Sequence, residues 1–165
     1  AVAMAANPHI VLRVYGSGSK QQEYDAHEYC QRMGIEDWVK IEWMGNRPNA
    51  EVHEAMQRAH LFLFTSISED TSTVVLEAVS NHLPVLCFDT CGMGFVIDDS
   101  VGIKVPLSTP LASVKEIANI LNDLYNNRNK LKAMSENCER RSNELSWENK
   151  SRRVVELFSR IASSD

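Results

Sequence analysis

The chain has 165 residues, is 44% hydrophobic and carries a formal net charge of -5. That fits one domain with a real core, and the acidity argues against a broad nucleic-acid surface, which needs a basic excess. No apolar run approaches the ~20 residues of a membrane-spanning helix, and no stretch reads as a signal peptide. Cys30, Cys87, Cys91 and Cys138 show neither C-x-x-C spacing nor a clustered framework, so reduced cytosolic thiols are expected.

Taken in order, AVAMAA at residues 1–6 is a helix former with no cap before it, reading as the tail of a helix that begins upstream; Asn7-Pro8 ends it. Ile10–Tyr15 supplies a strand closed by Gly16-Ser17-Gly18-Ser19. Lys20–Met33 follows with helical spacing and stops at Gly34. Val39, Ile41 and Trp43 alternate with Lys40 and Glu42, a strand with one wetter face. After the turn at residues 45–49, Asn49 is placed to cap a helix over Ala50–Ala59, with Glu51 suiting its start. Leu61–Phe64 is an unbroken apolar run too short for a helix, the pattern of a parallel strand buried on both faces. A polar loop at Thr65–Thr73 then leads into a helix from Val74, and Pro84–Phe88 gives the next buried strand. A loop with paired glycines, Asp89–Gly94, precedes a short strand at Val101–Val105. The remainder reads as helix alone over Leu111–Tyr125, Lys130–Leu145 and Trp147–Ile161, with Val154, Val155, Phe158 and Ile161 on one face of the last. Arg152, Arg153 and Arg160, offset by Glu148 and Glu156, read as its solvated face. Strands alternating with helices predict an α/β fold: a Rossmann-like parallel sheet with helices on both faces and a helical C-terminal end.

Ligands of open α/β sheets sit at the carboxyl ends of the strands. The loop before Val74 lies at such an end and opens a helix whose first amides lack partners, an anion site by construction. Glu69 stays on that loop, while Glu77 falls more than a turn inside the helix. Two carboxylates so spaced can grip two parts of an elongated polar ligand, each accepting from a vicinal diol, while the amides of Thr71, Ser72 and Thr73 face a negative charge between them. Set against this, an acid ahead of a helix is ordinarily only a favourable charge near the dipole, worth ~0.3–1 kcal/mol, and a mid-helix Glu ordinarily faces water.

Ser66-x-x-Glu69, Val75-Leu76-Glu77-Ala78 and Leu83-Pro84-Val85 together resemble the donor-domain signature of GT-B-fold glycosyltransferases. The closest group is the retaining one that includes glycogen synthases and bacterial capsule and lipopolysaccharide transferases, whose hallmark E-x7-E is matched by Glu69 and Glu77. Tyr15–Gly18, Trp43–Gly45, Gly102–Pro106 and Ser146–Glu148 are similar to further pieces of that domain, in the right order along nearly the whole chain. The resemblance implies that residues 1–165 are one half of a GT-B fold, the nucleotide-sugar donor-binding domain. It implies that Glu69 contacts the donor sugar near the reacting centre and Glu77 binds the ribose. Asp70, Thr71, Ser72 and Thr73 then hold the diphosphate, and Gly16, Ser17, Gly45 and Arg47 border the nucleobase. It implies no metal and no cofactor beyond a UDP- or GDP-linked sugar as co-substrate.

The sequence departs from that pattern where Asp70-Thr71-Ser72 replaces a glycine-rich run and His82 replaces a glycine, a residue that tolerates the left-handed region. Cys91 reads as a small packing residue. The cations that neutralise the diphosphate, and the acceptor-binding domain, are expected upstream and outside this chain, so the chain alone is expected not to transfer sugar. The full-length protein is expected in the cytoplasm, with any contact at the inner face of the membrane made through the missing domain. Two other readings stay open. Gly16-Ser17-Gly18 begins a dinucleotide-binding fingerprint with Glu42 as the ribose acid, although Gln21 stands where the third glycine belongs. A non-catalytic flavodoxin-like interaction domain would want acids where Gly16 and Ser17 stand.

Overall fold

The computed structural model describes residues 2, 6–32, 34, 40–70 and 72–163. Most of the expected N-terminal helix tail and Met33 and Val39 fall outside them; Ala6 N–H donates to the Val2 carbonyl at 3.0 Å. Among the described residues five strands form, all pairing in parallel as expected of an α/β fold, in two ladders. β1 (Val11–Tyr15) pairs with β2 (Lys40–Gly45), flanked by helix α1 (Lys20–Arg32). β3 (Phe62–Phe64), β4 (Val85–Phe88) and β5 (Gly102–Val105) form the second ladder, in that order. Among the described residues no strand pairs with the outer edge of β3. That explains why Phe62, Leu63 and Phe64 are each only half-buried, against the expectation of a strand buried on both faces. The fully covered strand is β4.

Burial on the two faces of β4 follows from its alternation. Val85 and Cys87 pack with Val75, Ala78 and Val79 of α3 (Thr73–Ser80), with Met93, Val96 and Ile97, and with Cys138 of α6 (Arg128–Glu144). Leu86 and Phe88 face the other way, onto Val105 and Ile117 of α5 (Pro110–Asn126). Helices therefore cover both faces of the second ladder. Close approach of β5 to β4 depends on Gly102, where an added Cβ would lie 2.3 Å from the Val85 carbonyl oxygen.

The two ladders are linked through α2 (Asn49–Arg58), whose Val52 packs on the core beside Met56. Gln57 also donates to the Asn81 amide oxygen at 3.2 Å. Asn49 is not its cap: the helix starts at Asn49 itself and the capping position is Pro48, whose carbonyl accepts from Glu51 and Val52. A proline needs no partner for a missing N–H, so the start one residue earlier costs nothing. The later helices follow their cap residues closely. Thr109 accepts from Ala112, Asn127 from Lys130, and Ser146 from Asn149 at the start of α7 (Trp147–Ala162). A one-turn helix, α4 (Met93–Val96), occupies the end of the glycine-paired loop, where only loop was expected. His82 has φ 58, the left-handed conformation expected of it, and its carbonyl accepts from Ser135 at 2.7 Å. Cys91, also left-handed at φ 52, is exposed and so is not a packing residue.

Candidate functional site

The loop between β3 and α3 leaves the ladder at its carboxyl end. Val75, Ala78 and Val79 are buried against the core, and this fixes the rotation of α3 about its own axis. Thr73 and Glu77, four residues apart, then share the opposite face, with side chains leaning toward the helix N-terminus. Thr73 is exposed and Glu77 half-buried. The Glu77 carboxylate has no hydrogen bond or ion pair to any described residue. Ser72 stands at the capping position with φ -67 and ψ 123 but makes no side-chain cap bond. Val75 N–H reaches the Ser72 carbonyl, and the amides of Thr73 and Val74 have no hydrogen-bond partner among the described residues. Glu69 is exposed on the loop and accepts from the Ser66 hydroxyl at 3.1 Å, which orients one carboxylate oxygen. Asp70 is exposed, while its backbone carbonyl accepts from Gly92 N–H at 2.6 Å. Thr71 lies outside the described residues.

One loop–helix junction thus gathers Glu69, Asp70, Ser72, Thr73 and Glu77. Gly16, Ser17, Gly45 and Arg47 gather elsewhere, at the carboxyl end of the β1–β2 ladder. Gly16 N–H donates to the Gly45 carbonyl at 3.0 Å, and both glycines have positive φ, 111 and 65, so the two chains turn away together. Ser17 is exposed beyond them. Arg47 is engaged, its Nε donating to the Met44 carbonyl at 2.8 Å and its guanidinium 3.9 Å from Glu51. No hydrogen bond or ion pair among the described residues joins this group directly to the first. Glu42, offered as a ribose acid under the dinucleotide reading, lies 2.7 Å from Arg13 across the β1–β2 pair.

The loop after β4 lies against the loop before α3, joined to it by the bond from Gly92 N–H to the Asp70 carbonyl. Lys104, on β5, donates from Nζ to the Gly94 carbonyl at 3.0 Å and stands 3.7 Å from the Asp89 carboxylate. Burial pushes the neighbouring Cys87 thiol up to about 11; Lys104 opposes that shift and Asp89 adds to it. Thr90 Oγ1 is sealed from solvent without a hydrogen-bond partner among the described residues. Arg141 of α6 holds the far end of α4, donating to the carbonyls of Phe95 and Val96 and lying 3.4 Å from Asp98. Burial of Asp98 favours its neutral form, yet the Ser100 hydroxyl and amide and then Arg141 together hold its pKa below the usual carboxylate value. No group of three His, Cys, Asp or Glu among the described residues is placed to hold a metal ion. Open amides flanked by acids on either side suit an anion that carries hydroxyls at both ends. Sequence reasoning passed over Lys104 and Gly92. The alternation of Gly102–Val105 puts Lys104 on the face of Cys87, but only the turn at Cys91 reveals where Gly92 N–H points.

Comparison with known proteins supplies the family. The sequence profile of "Glycosyl transferases group 1" matches residues 1–141. A curated relative, the GtfA subunit of UDP-N-acetylglucosamine–peptide N-acetylglucosaminyltransferase of Streptococcus gordonii, is 26% identical over 109 residues. That match takes in 65% of this chain and 20% of the relative, so the chain spans about a fifth of the relative's length. Among solved structures, Anabaena HepE in complex with UDP superposes with a TM-score of 0.78 at 21% identity, covering 95% of this chain and 43% of HepE. Sucrose-phosphate synthase from Thermosynechococcus elongatus superposes at 0.75 and 18% identity, covering 99% of this chain and 41% of that one. These likenesses establish the fold.

Proposed function

The chain belongs to the glycosyl transferases group 1 family, and from that premise we propose that it is the donor-binding portion of an enzyme that moves a hexosyl group from a nucleoside-diphosphate sugar to an acceptor. The observation that carries this reading is the uncapped start of α3 with Glu69 before it and Glu77 on its exposed face. The diphosphate takes the amides of Thr73 and Val74, with Asp70 and Ser72 lining the approach. Glu77 accepts from the ribose diol, and Glu69 accepts from the sugar beside the reacting centre, its carboxylate steadied by Ser66. Gly16, Ser17, Gly45 and Arg47 border the base. Fixed dipoles, rather than a metal, stabilise the departing nucleoside diphosphate, and the transfer proceeds with retention at the anomeric carbon.

An acceptor-binding domain outside this chain supplies the acceptor, the cations for the diphosphate and any membrane contact, so the chain alone binds donor without transferring sugar. The product belongs to polysaccharide or glycoconjugate synthesis on the cytoplasmic side. The HepE neighbour holds UDP, which favours a uridine donor over a guanosine one. The test is thermal stabilisation by a panel of nucleotides. A bound ligand at 100 times its dissociation constant adds about 2.7 kcal/mol of stability. UDP or GDP raising the melting temperature while NAD does not is the expected result. Stabilisation by NAD alone would return the chain to the dinucleotide-binding reading.

A further inference from the structure

Lys104 is a cation whose stem lies on the core face of β5, level with Cys87 on the neighbouring strand. Its ammonium is committed to the loop above it. It donates to the Gly94 carbonyl and neutralises Asp89, and Asp89 is itself tied to the ladder by its N–H to the Val105 carbonyl at 2.9 Å. The Asp89 carboxylate in turn rests against Gly94, where an added Cβ would come within 2.8 Å of Oδ1. The loop held in this way donates one backbone N–H to the loop before α3: Gly92 N–H to the Asp70 carbonyl, 2.6 Å. Gly92 is also fixed from its other side, since its carbonyl accepts from Phe95 and Val96 at the start of α4.

From this chain of contacts we infer that Lys104 is a positioning residue for donor binding. Lys104 fastens the Asp89–Gly94 loop. That loop fastens the Asp70 carbonyl, which lies two residues before the Ser72 capping position of α3. The role rests on the proposed donor site, but the latch itself is a matter of geometry and is read separately. An ammonium donating to a carbonyl beside a carboxylate is among the stronger hydrogen-bond arrangements. Its loss is therefore felt at the far end of the relay rather than only beside Lys104.

The experiment compares the wild-type chain with Lys104→Met, which keeps the apolar stem, and Lys104→Arg, which keeps the charge and the donor. Amide hydrogen exchange of the segments around residues 69–73 and 89–94 reads the latch, and calorimetric titration with UDP-glucose and UDP reads the site. Lys104→Met is expected to speed exchange in both segments and to weaken nucleotide-sugar binding about tenfold, the scale of one charge-assisted hydrogen bond. Lys104→Arg is expected to restore both. Unchanged exchange at residues 69–73 overturns the latch. Faster exchange with unchanged affinity overturns the positioning role. A wild-type chain that binds no nucleotide at all defeats the donor-site reading, and the exchange data then still decide the latch. If Lys104→Met does not fold, Asp89→Asn takes its place against the same two readouts.

Discussion

At the scale of single residues, the site separates two acids by what each can reach. Glu77 stands on the face of α3 that leads to the open amides, so Glu77→Ala should weaken UDP and UDP-sugar alike, by about 1.5–3 kcal/mol for a hydrogen bond to a charged group. Glu69 sits on the loop before the helix, tethered by Ser66, so Glu69→Ala should weaken the sugar-bearing form and leave UDP unchanged. Titration of both ligands into both variants checks this, and equal losses would contradict the assignment. A second residue-level expectation concerns Gly102, where the backbone of β4 leaves no room. Gly102→Ala meets a carbonyl oxygen 2.3 Å away, and a carbonyl in a ladder cannot swing aside. The variant should lose about 1–3 kcal/mol or more in urea unfolding, the usual cost of overpacking. The identities of Glu69 and Glu77 were legible from their spacing and flanking strands. Lys104 was not, because the sequence does not say which carbonyl a strand lysine will meet.

At the scale of elements, the α4–α6 junction carries a pH dependence. Asp98 titrates below its unfolded value because Ser100 and Arg141 outweigh the cost of burial. A depressed carboxylate contributes stability that is present above the unfolded pKa, about 3.9, and is lost as pH falls through the folded one. Stability should therefore hold from pH 7 to about 5 and decline below about 4. Asp98→Asn should flatten part of that acid limb in denaturant titrations run at each pH. Helix positions were readable from the sequence because helical patterning runs through Leu111–Tyr125, Lys130–Leu145 and Trp147–Ile161; the caps at Thr109, Asn127 and Ser146 then fix their starts. Asn49 misled because Pro48 offers an equally good start one residue earlier. The burial of β3 misled because a run such as Phe62–Phe64 reports hydrophobicity, not the number of neighbouring strands.

At the scale of the molecule, α7 buries none of its side chains among the described residues, and Trp147 and Phe158 are 82% and 67% exposed. Surface substitutions away from packing are worth within about 0.5 kcal/mol. Phe158→Asp should therefore leave the melting temperature nearly unchanged while lowering the binding of a hydrophobic dye. Strand order is the feature the sequence conveyed least. Alternation of strands and helices announced a parallel α/β fold, but which strands become neighbours depends on packing that no local pattern encodes.

The division into two ladders has a further consequence. Among the described residues β1 has a strand partner only in β2 and β3 only in β4, whereas β4 is paired on both sides. A strand held along one side opens more readily than one held along both. Amide exchange should therefore be faster along β1 and β3 than along β4.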